Sequence, residues 1–182
     1  MDSPRIYTRT GDSGETSLAD GSRVAKDSPV PEALGALDEA NSHIGAARAA
    51  IDDARLDELL AFVQHRLFNF SALLAGAGEG DVPRPTDDDV RTLESAIDEL
   101  ASLPTPLRAF VLPAGPDAAA RLHVARSVVR RAERRLVALS REVAVDSTLL
   151  AFVNRVSDLL FAAARVMSGN AEEEWDPHTP RP

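Results

Sequence analysis

The 182-residue chain contains no cysteine. That excludes a disulfide framework, a thiolate-bound zinc site and a cysteine nucleophile together. Aromatic residues are also scarce, at 4% with one Trp and one Tyr, although apolar residues reach 44%. A core built mainly from Ala, Leu and Val favours packed helices over a sheet sandwich. No apolar run approaches the roughly 18 residues of a membrane span, and no charged-then-apolar leader opens the chain. A soluble, cytoplasmic protein without a membrane partner is therefore expected. Lysine is almost missing, with Lys26 standing alone, and a net charge of −9 argues against a nucleic-acid partner. Many of the Arg residues cluster between Arg121 and Arg141, while the acids are spread elsewhere. A local basic site on an acidic chain suits a small anionic ligand better than a polyanion.

What is present changes character near residue 30. Residues 1–30 are rich in Gly, Ser, Thr and Asp, with short extended pieces at most. From Pro31, suited to a first helical turn, the period becomes helical: Leu34, Leu37, Ile44 and Ile51 share a face, ending before Asp52-Asp53. Further helices are expected over 56–75, over 87–102 with Thr86 or Asp87 as cap, from 117 to about 141, and over 147–167. Residues 76–85 read as a loop. Pro104 and Pro106 break the pattern, and Phe110-Val111-Leu112-Pro113 is a short extended apolar segment. The expectation is an all-α fold, a five-helix up-and-down bundle in one domain spanning 1–182. Its parts are an irregular leader (1–30), the bundle (31–168) and a loose tail (169–182).

Three stretches could carry chemistry. On the fourth helix, Leu122, Ala125, Val129, Ala132 and Leu136 form the apolar stripe, and Arg126, Arg130 and Arg134 run beside it. Such a run is often a solvated face. Three guanidiniums on one ridge repel, however, unless an anion or carboxylates lie between them, and their forks match polyphosphate oxygens. Glu133, three residues after Arg130, is placed to orient it. On the first helix, Asp38, Asn41 and Arg48 fall beside the apolar stripe. A carboxylate buried there needs a partner, for which Arg126 is the candidate. On the fifth, Asn154, Ser157, Asp158 and Phe161 share a side and read as a helix–helix hydrogen-bond patch. The leader Thr8-Arg9-Thr10-Gly11-Asp12-Ser13-Gly14-Glu15-Thr16-Ser17 offers glycines and hydroxyls suited to phosphate, although a segment of this composition is more often an ordinary turn. It lacks the Gly-Lys-[Ser/Thr] of a Walker loop.

Six ordered segments together resemble the PduO-type ATP:cob(I)alamin adenosyltransferases. They are Arg5-Ile6-Tyr7-Thr8-Arg9-Thr10-Gly11-Asp12-Ser13-Gly14-Glu15-Thr16-Ser17-Leu18, Arg23-Val24-Ala25-Lys26-Asp27, and Leu37-Asp38-Glu39-Ala40-Asn41-Ser42. Downstream come Phe110-Val111-Leu112-Pro113-Ala114-Gly115, the Arg-rich Leu122 to Arg135, and Val153-Asn154-Arg155-Val156-Ser157-Asp158-Leu159-Leu160-Phe161. The resemblance implies transfer of the 5′-deoxyadenosyl group from ATP to cob(I)alamin, with triphosphate released. It also implies a homotrimer with each site between subunits. One subunit's Thr8, Arg9, Thr10, Gly11, Thr16, Ser17 and Lys26 would wrap ATP, and the neighbour would supply Arg130, Arg131, Glu133, Arg134 and Asn154. Arg130, Lys26, Phe110 and Asn154 would serve catalysis.

By the same resemblance, Asp38 and Arg126 form an ion pair between subunits. Phe110 would sit at the lower corrin face and displace the lower axial ligand of cob(II)alamin, which makes cobalt easier to reduce. Its plain alternative is core packing. Mg²⁺ would accompany ATP on its phosphates, a resident metal being unassigned. A cobalamin reductase and a cobalamin-dependent enzyme are the implied protein partners. Two departures stand out. Ala114 replaces the family's usual Gly, which strains the loop if that backbone needs positive φ, and Leu18-Ala19-Asp20-Gly21 replaces the commoner Leu-x-Gly-Gly. The alternative function is a non-catalytic protein that binds or delivers cobalamin.

Overall fold

The computed structural model describes residues 7–78, 80, 82–103, 106, 107 and 109–179. Arg5 and Ile6 of the leader, Pro104 and the last residues of the tail lie outside the described residues. The chain begins with a two-stranded antiparallel hairpin, β1 (Glu15–Ser17) and β2 (Arg23–Ala25), in which Thr16 opposes Val24. Five helices follow: α1 (Pro29–Arg48), α2 (Ala54–Leu74), α3 (Asp87–Ala101), α4 (Asp117–Leu139) and α5 (Ser147–Ser168), closed by a 3-10 turn at Gly169–Ala171. This is the expected all-α, five-helix bundle.

Helix α5 is apolar around most of its circumference, so it has to be surrounded. Phe152, Val153, Val156, Leu159, Leu160, Ala163 and Ala164 are all fully buried. Helices α3 and α4 pack on it, α1 packs on α4, and α2 lies against α1. Both helices of the α1–α4 pair bury small side chains, Ala33, Ala40 and Ala47 on α1 and Ala125 and Ala132 on α4, and small residues allow helices to approach closely. Bulk comes from the few aromatics. Phe70 meets Phe152 edge-on with ring centroids 5.0 Å apart, and Phe62 meets it at 6.3 Å.

Local chemistry explains the helix starts. Asp53 caps α2 by accepting the Leu56 N–H at 2.9 Å, and Asp146 caps α5 by accepting that of Thr148 at 2.8 Å. Thr86 and Asp89 form a reciprocal capping box on α3, which decides the cap in favour of Thr86. Helix α1 starts at Pro29, a turn-half earlier than the Pro31 expected, because Pro29 itself is compatible with the first helical position. It stops at Arg48, so Ile51 joins the core from the connecting loop rather than from the helix. Helix α4 ends at Leu139, leaving Arg141 in the turn beyond.

The polar edge of α1 resolves differently for each residue expected there. Asn41 is buried and exchanges bonds with α2, its side-chain amide donating to the Gln64 backbone carbonyl at 3.4 Å and its own backbone carbonyl accepting from the Gln64 side chain at 2.9 Å. Arg48 forks onto Asp57, at 2.7 and 2.9 Å. Asp38, expected as a buried carboxylate, is exposed, because it lies a step outside the α1–α4 seam. No pair with Arg126 forms within the chain among the described residues, so that expectation is corrected for the single subunit. The tail, expected loose apart from Trp175, is tied down at Glu172 by a forked bond from buried Arg165. It then runs antiparallel to residues 110–112.

Candidate active site

The leader folds on itself. Leu18 N–H donates to the Ser22 carbonyl at 2.9 Å to close the hairpin, with Gly21 taking φ +83°. The Leu18–Gly21 departure is thus absorbed by the one glycine the turn requires. Upstream, the Thr8 and Thr10 hydroxyls lie 2.8 Å apart, and Arg9 holds φ +63°, a left-handed conformation costly for a residue with a side chain. The Arg9 guanidinium sits over the Tyr7 ring at 5.3 Å. Gly11 is a close-approach glycine: a Cβ there would fall 3.1 Å from Lys26 Nζ and 3.2 Å from the Glu15 carbonyl oxygen. Its absence lets the only lysine lie across the loop. Thr8, Arg9, Thr10, Ser17 and Lys26 are exposed, and Gly11 and Thr16 half-buried.

Arg23 is a member of this group that composition and spacing do not reveal. Its guanidinium reaches the Thr10 carbonyl at 3.0 Å, the Glu15 carboxylate at 3.2 Å and the Ser17 hydroxyl at 3.3 Å. It therefore staples the loop to both strands. The signal that finds it is the hairpin register, which sets Arg23 opposite Ser17.

Along α4 the guanidiniums divide by face. Those turned to α1 are paired: Arg131 with Glu39, and Arg135 with Glu32 at 3.0 Å. On the other side, Arg126 and Arg130 have no carboxylate partner among the described residues, and Arg134 donates only to the Arg130 carbonyl, at 3.0 Å. A groove of about 440 Å³ opens there, lined by Arg130, Glu133, Arg134, Val137, Ala138 and Arg141. Arg126 is half-buried, its Nε has no hydrogen-bond partner, and its guanidinium faces the Phe161 ring at 5.9 Å. Burial first, and the nearby charge of Arg130 second, lower its pKa. One turn back, His123 is buried with Nδ1 unbonded. Burial, then the charge of Arg126, holds it below its ordinary value of 6.5.

Glu133 does not orient Arg130 as expected. Its carboxylate accepts from the Asn154 amide at 2.9 Å, across the α4–α5 seam. Asn154 in turn accepts from Arg155 at 2.7 Å, and Arg155 reaches Glu94 of α3 at 2.9 Å. The relay Glu94–Arg155–Asn154–Glu133 fixes the amide by binding both its ends. Asn154 is thus a helix–helix hydrogen-bonding residue, as expected of that side of α5. Its neighbour Ser157 is buried, Phe161 is half-buried, and Asp158 points to solvent.

Phe110 is 80% exposed, which rules out core packing within the chain. Ala114 does not take positive φ. That role falls to Gly115 at φ +114°, where a Cβ would lie 3.1 Å from the Ser168 hydroxyl. The strain considered for Ala114 is absent. Within one chain the leader and the open side of α4 remain separate elements. The hairpin's backbone tie to the bundle runs from Ala19 N–H to the Ala75 carbonyl at the end of α2, 2.8 Å.

A family model described as cobalamin adenosyltransferase matches residues 6–167. The chain belongs to this family. Similar proteins include the corrinoid adenosyltransferase PduO of Salmonella typhimurium, 44% identical over 171 residues, covering 92% of this chain and 51% of that protein. The corrinoid adenosyltransferase of Bacillus subtilis is 40% identical over 179 residues, covering 94% and 92%. This cobalamin adenosyltransferase family member thus spans about half the length of the Salmonella relative and nearly all of the Bacillus one. Among solved structures, a phenylalanine-to-histidine variant of the PduO-type ATP:corrinoid adenosyltransferase from Lactobacillus reuteri, complexed with cobalamin and ATP, superposes with a TM-score of 0.86. It is 33% identical and covers 93% of this chain and 95% of that one. An arginine-to-lysine variant of the Lactobacillus reuteri enzyme, complexed with ATP, gives 0.84 at 33% identity, covering 94% and 100%.

Proposed function

We propose that this chain transfers the 5′-deoxyadenosyl group of ATP to the cobalt of cob(I)alamin, giving adenosylcobalamin and triphosphate. It would do so as a cytoplasmic homotrimer with its sites between subunits, each chain acting as one unit of leader, bundle and tail. The observation that carries this reading is the division of α4. Guanidiniums facing α1 are neutralised, whereas Arg126, Arg130 and Arg134 face away without a carboxylate among the described residues. Like charges held on one rigid ridge favour an anion between them, and a triphosphate supplies one.

The leader would bind ATP through Thr8, Arg9, Thr10, Gly11, Thr16, Ser17 and Lys26. A neighbouring subunit would present Arg130, Arg134 and the Glu133–Asn154 pair. Arg131 starts from its exposed pair with Glu39, so its contact with nucleotide requires that pair to open. In the reaction the cobalt(I) electron pair attacks C5′ while the C5′–O bond breaks and its electrons leave on triphosphate. Cobalt thereby becomes cobalt(III). The metal is the nucleophile, so the protein needs none of its own. The protein's tasks are to align C5′ with cobalt and to stabilise negative charge on the leaving group. Lys26 and the open Arg side of α4 suit the second task. Mg²⁺ would arrive on the nucleotide phosphates as part of the substrate. No group of three His, Asp or Glu side chains converges among the described residues. Exposed Phe110 would meet the lower corrin face, displacing the axial ligand of cob(II)alamin and easing its reduction.

Assembly accounts for the remaining anomalies. An exposed Asp38 from a neighbour would give Arg126 Nε an acceptor and, as an opposite charge, raise its lowered pKa again. A closed ring makes that contact in every subunit at once. A cobalamin reductase would supply the electron, and a cobalamin-dependent enzyme would use the product. The decisive experiment is an anaerobic assay with ATP, a strong reductant and cobalamin. The expected products are adenosylcobalamin and triphosphate in equal amounts. Corrin binding without product at any ATP concentration would instead support the non-catalytic alternative.

A further inference from the structure

The Phe110 ring is set on an extended segment that ends abruptly at the turn before α4, and its side chain is 80% exposed. A ring so exposed has several open rotamers and no core to select one. Yet its backbone is held firmly. Trp175 N–H donates to the Phe110 carbonyl at 2.6 Å, Leu112 N–H donates to the Glu173 carbonyl at 2.8 Å, and Val111 pairs with Glu174 between them. The tail making these bonds is itself anchored, because the Glu172 carboxylate takes both arms of buried Arg165, at 2.8 and 3.0 Å. From that anchor the Trp175 indole reaches the Phe110 ring edge-to-face, with centroids 6.5 Å apart and planes inclined by 64°. Trp175 is itself half exposed, so the pair is not a by-product of core packing.

We infer that Trp175 is a positioning residue for Phe110: the tail strand holds the indole against the ring and selects the rotamer that reaches the lower face of the corrin. This rests on the function proposed above. Its physical basis is the preference of aromatic pairs for edge-to-face contact, which shifts an equilibrium by roughly two- to tenfold. A ring poised before the substrate arrives avoids the ordering cost of being fixed on binding. Residues 110 and 175 thus act as one unit, although 65 positions separate them and two helices lie between.

The test uses the full chain with cob(II)alamin and saturating ATP. The fraction of cobalt that has lost its lower ligand is read by electron paramagnetic resonance, alongside kcat and the KM for each substrate. For Trp175→Ala the expected result is a roughly two- to tenfold fall in the ratio of four- to five-coordinate cobalt. The fall in kcat should match it, with the KM for ATP unchanged. Trp175→Phe, which keeps a ring, should restore both signals. Trp175→Leu, which keeps apolar bulk and the strand pairing, should not. Four-coordinate fractions equal to wild type in the Ala or Leu variant would overturn the inference, as would a loss that Phe fails to rescue. If the wild-type chain itself shows neither the cobalt signal nor alkylation, the proposed function fails first. A wild-type signal untouched in the variants removes the role of Trp175 alone.

Discussion

At the residue scale, His123 and Arg130, two of the unpartnered groups on α4, have consequences that can be measured. His123 is buried and its folded-state pKa lies below the unfolded value. Between those two values the unfolded chain binds the extra proton, so stability falls as pH drops below about 6.5 and levels off beneath the folded pKa. Thermal melts between pH 7.5 and 5.5 should show this decline, and His123→Gln should flatten it. An unchanged slope would mean that the proton goes elsewhere. Arg130 makes a second test. Arg130→Ala removes a guanidinium that makes no hydrogen bond among the described residues, so folding should be untouched while kcat/KM falls about 10²–10³-fold, as for loss of one preorganised charge donor. Lys26→Ala should do the same from the leader. Wild-type rates in both would refute the site. The unpaired state of Arg130 could not be read from spacing, which suggested Glu133 as its partner. Glu133 instead faces an amide on another helix, a tertiary fact.

At the element scale, the apolar period was enough to locate all five helices within a few residues, because each buries one face against a neighbour and carries a recognisable start. The deviations have identifiable causes. The extra turn-half on α1 comes from a second proline compatible with the helix start, and Ile51 keeps its place in the core from a loop. Helix α5 contributes most to the core, and Phe152 at its centre meets two other rings. Phe152→Ala should cost about 3–5 kcal/mol, seen as a lowered denaturation midpoint with unchanged helix content at low temperature. A cost near zero would mean that the surrounding side chains close the space. The leader was the least legible element. Its residues identify a turn, but Arg23 joins the loop only once β2 is folded back on β1, and Gly11 matters only because Lys26 lies over it.

At the scale of the whole molecule, the chain carries two polar groups left unanswered among the described residues: an exposed Asp38 on α1 and an Arg126 Nε without an acceptor on α4. Asp38→Asn should leave the helical fold intact, since Asp38 makes no internal bond among the described residues. It should weaken assembly and activity together, measured by sedimentation and by cobalt alkylation. Normal trimers with normal kinetics would count against the Asp38–Arg126 contact between subunits.

The amino-acid sequence alone determined the fold class, the five helices, the absence of thiol chemistry and the concentration of positive charge on one helix. Periodicity, composition and capping residues act over a few neighbours, and that information is local. Only the tertiary structure decided which arginines are neutralised and which remain open. It alone joined Asn154 to Glu133, left Phe110 in solvent, placed positive φ at Gly115 rather than Ala114 and set Trp175 against a ring 65 positions away. Those outcomes depend on which faces meet after packing, and a linear pattern does not specify the angle between helices that brings them together.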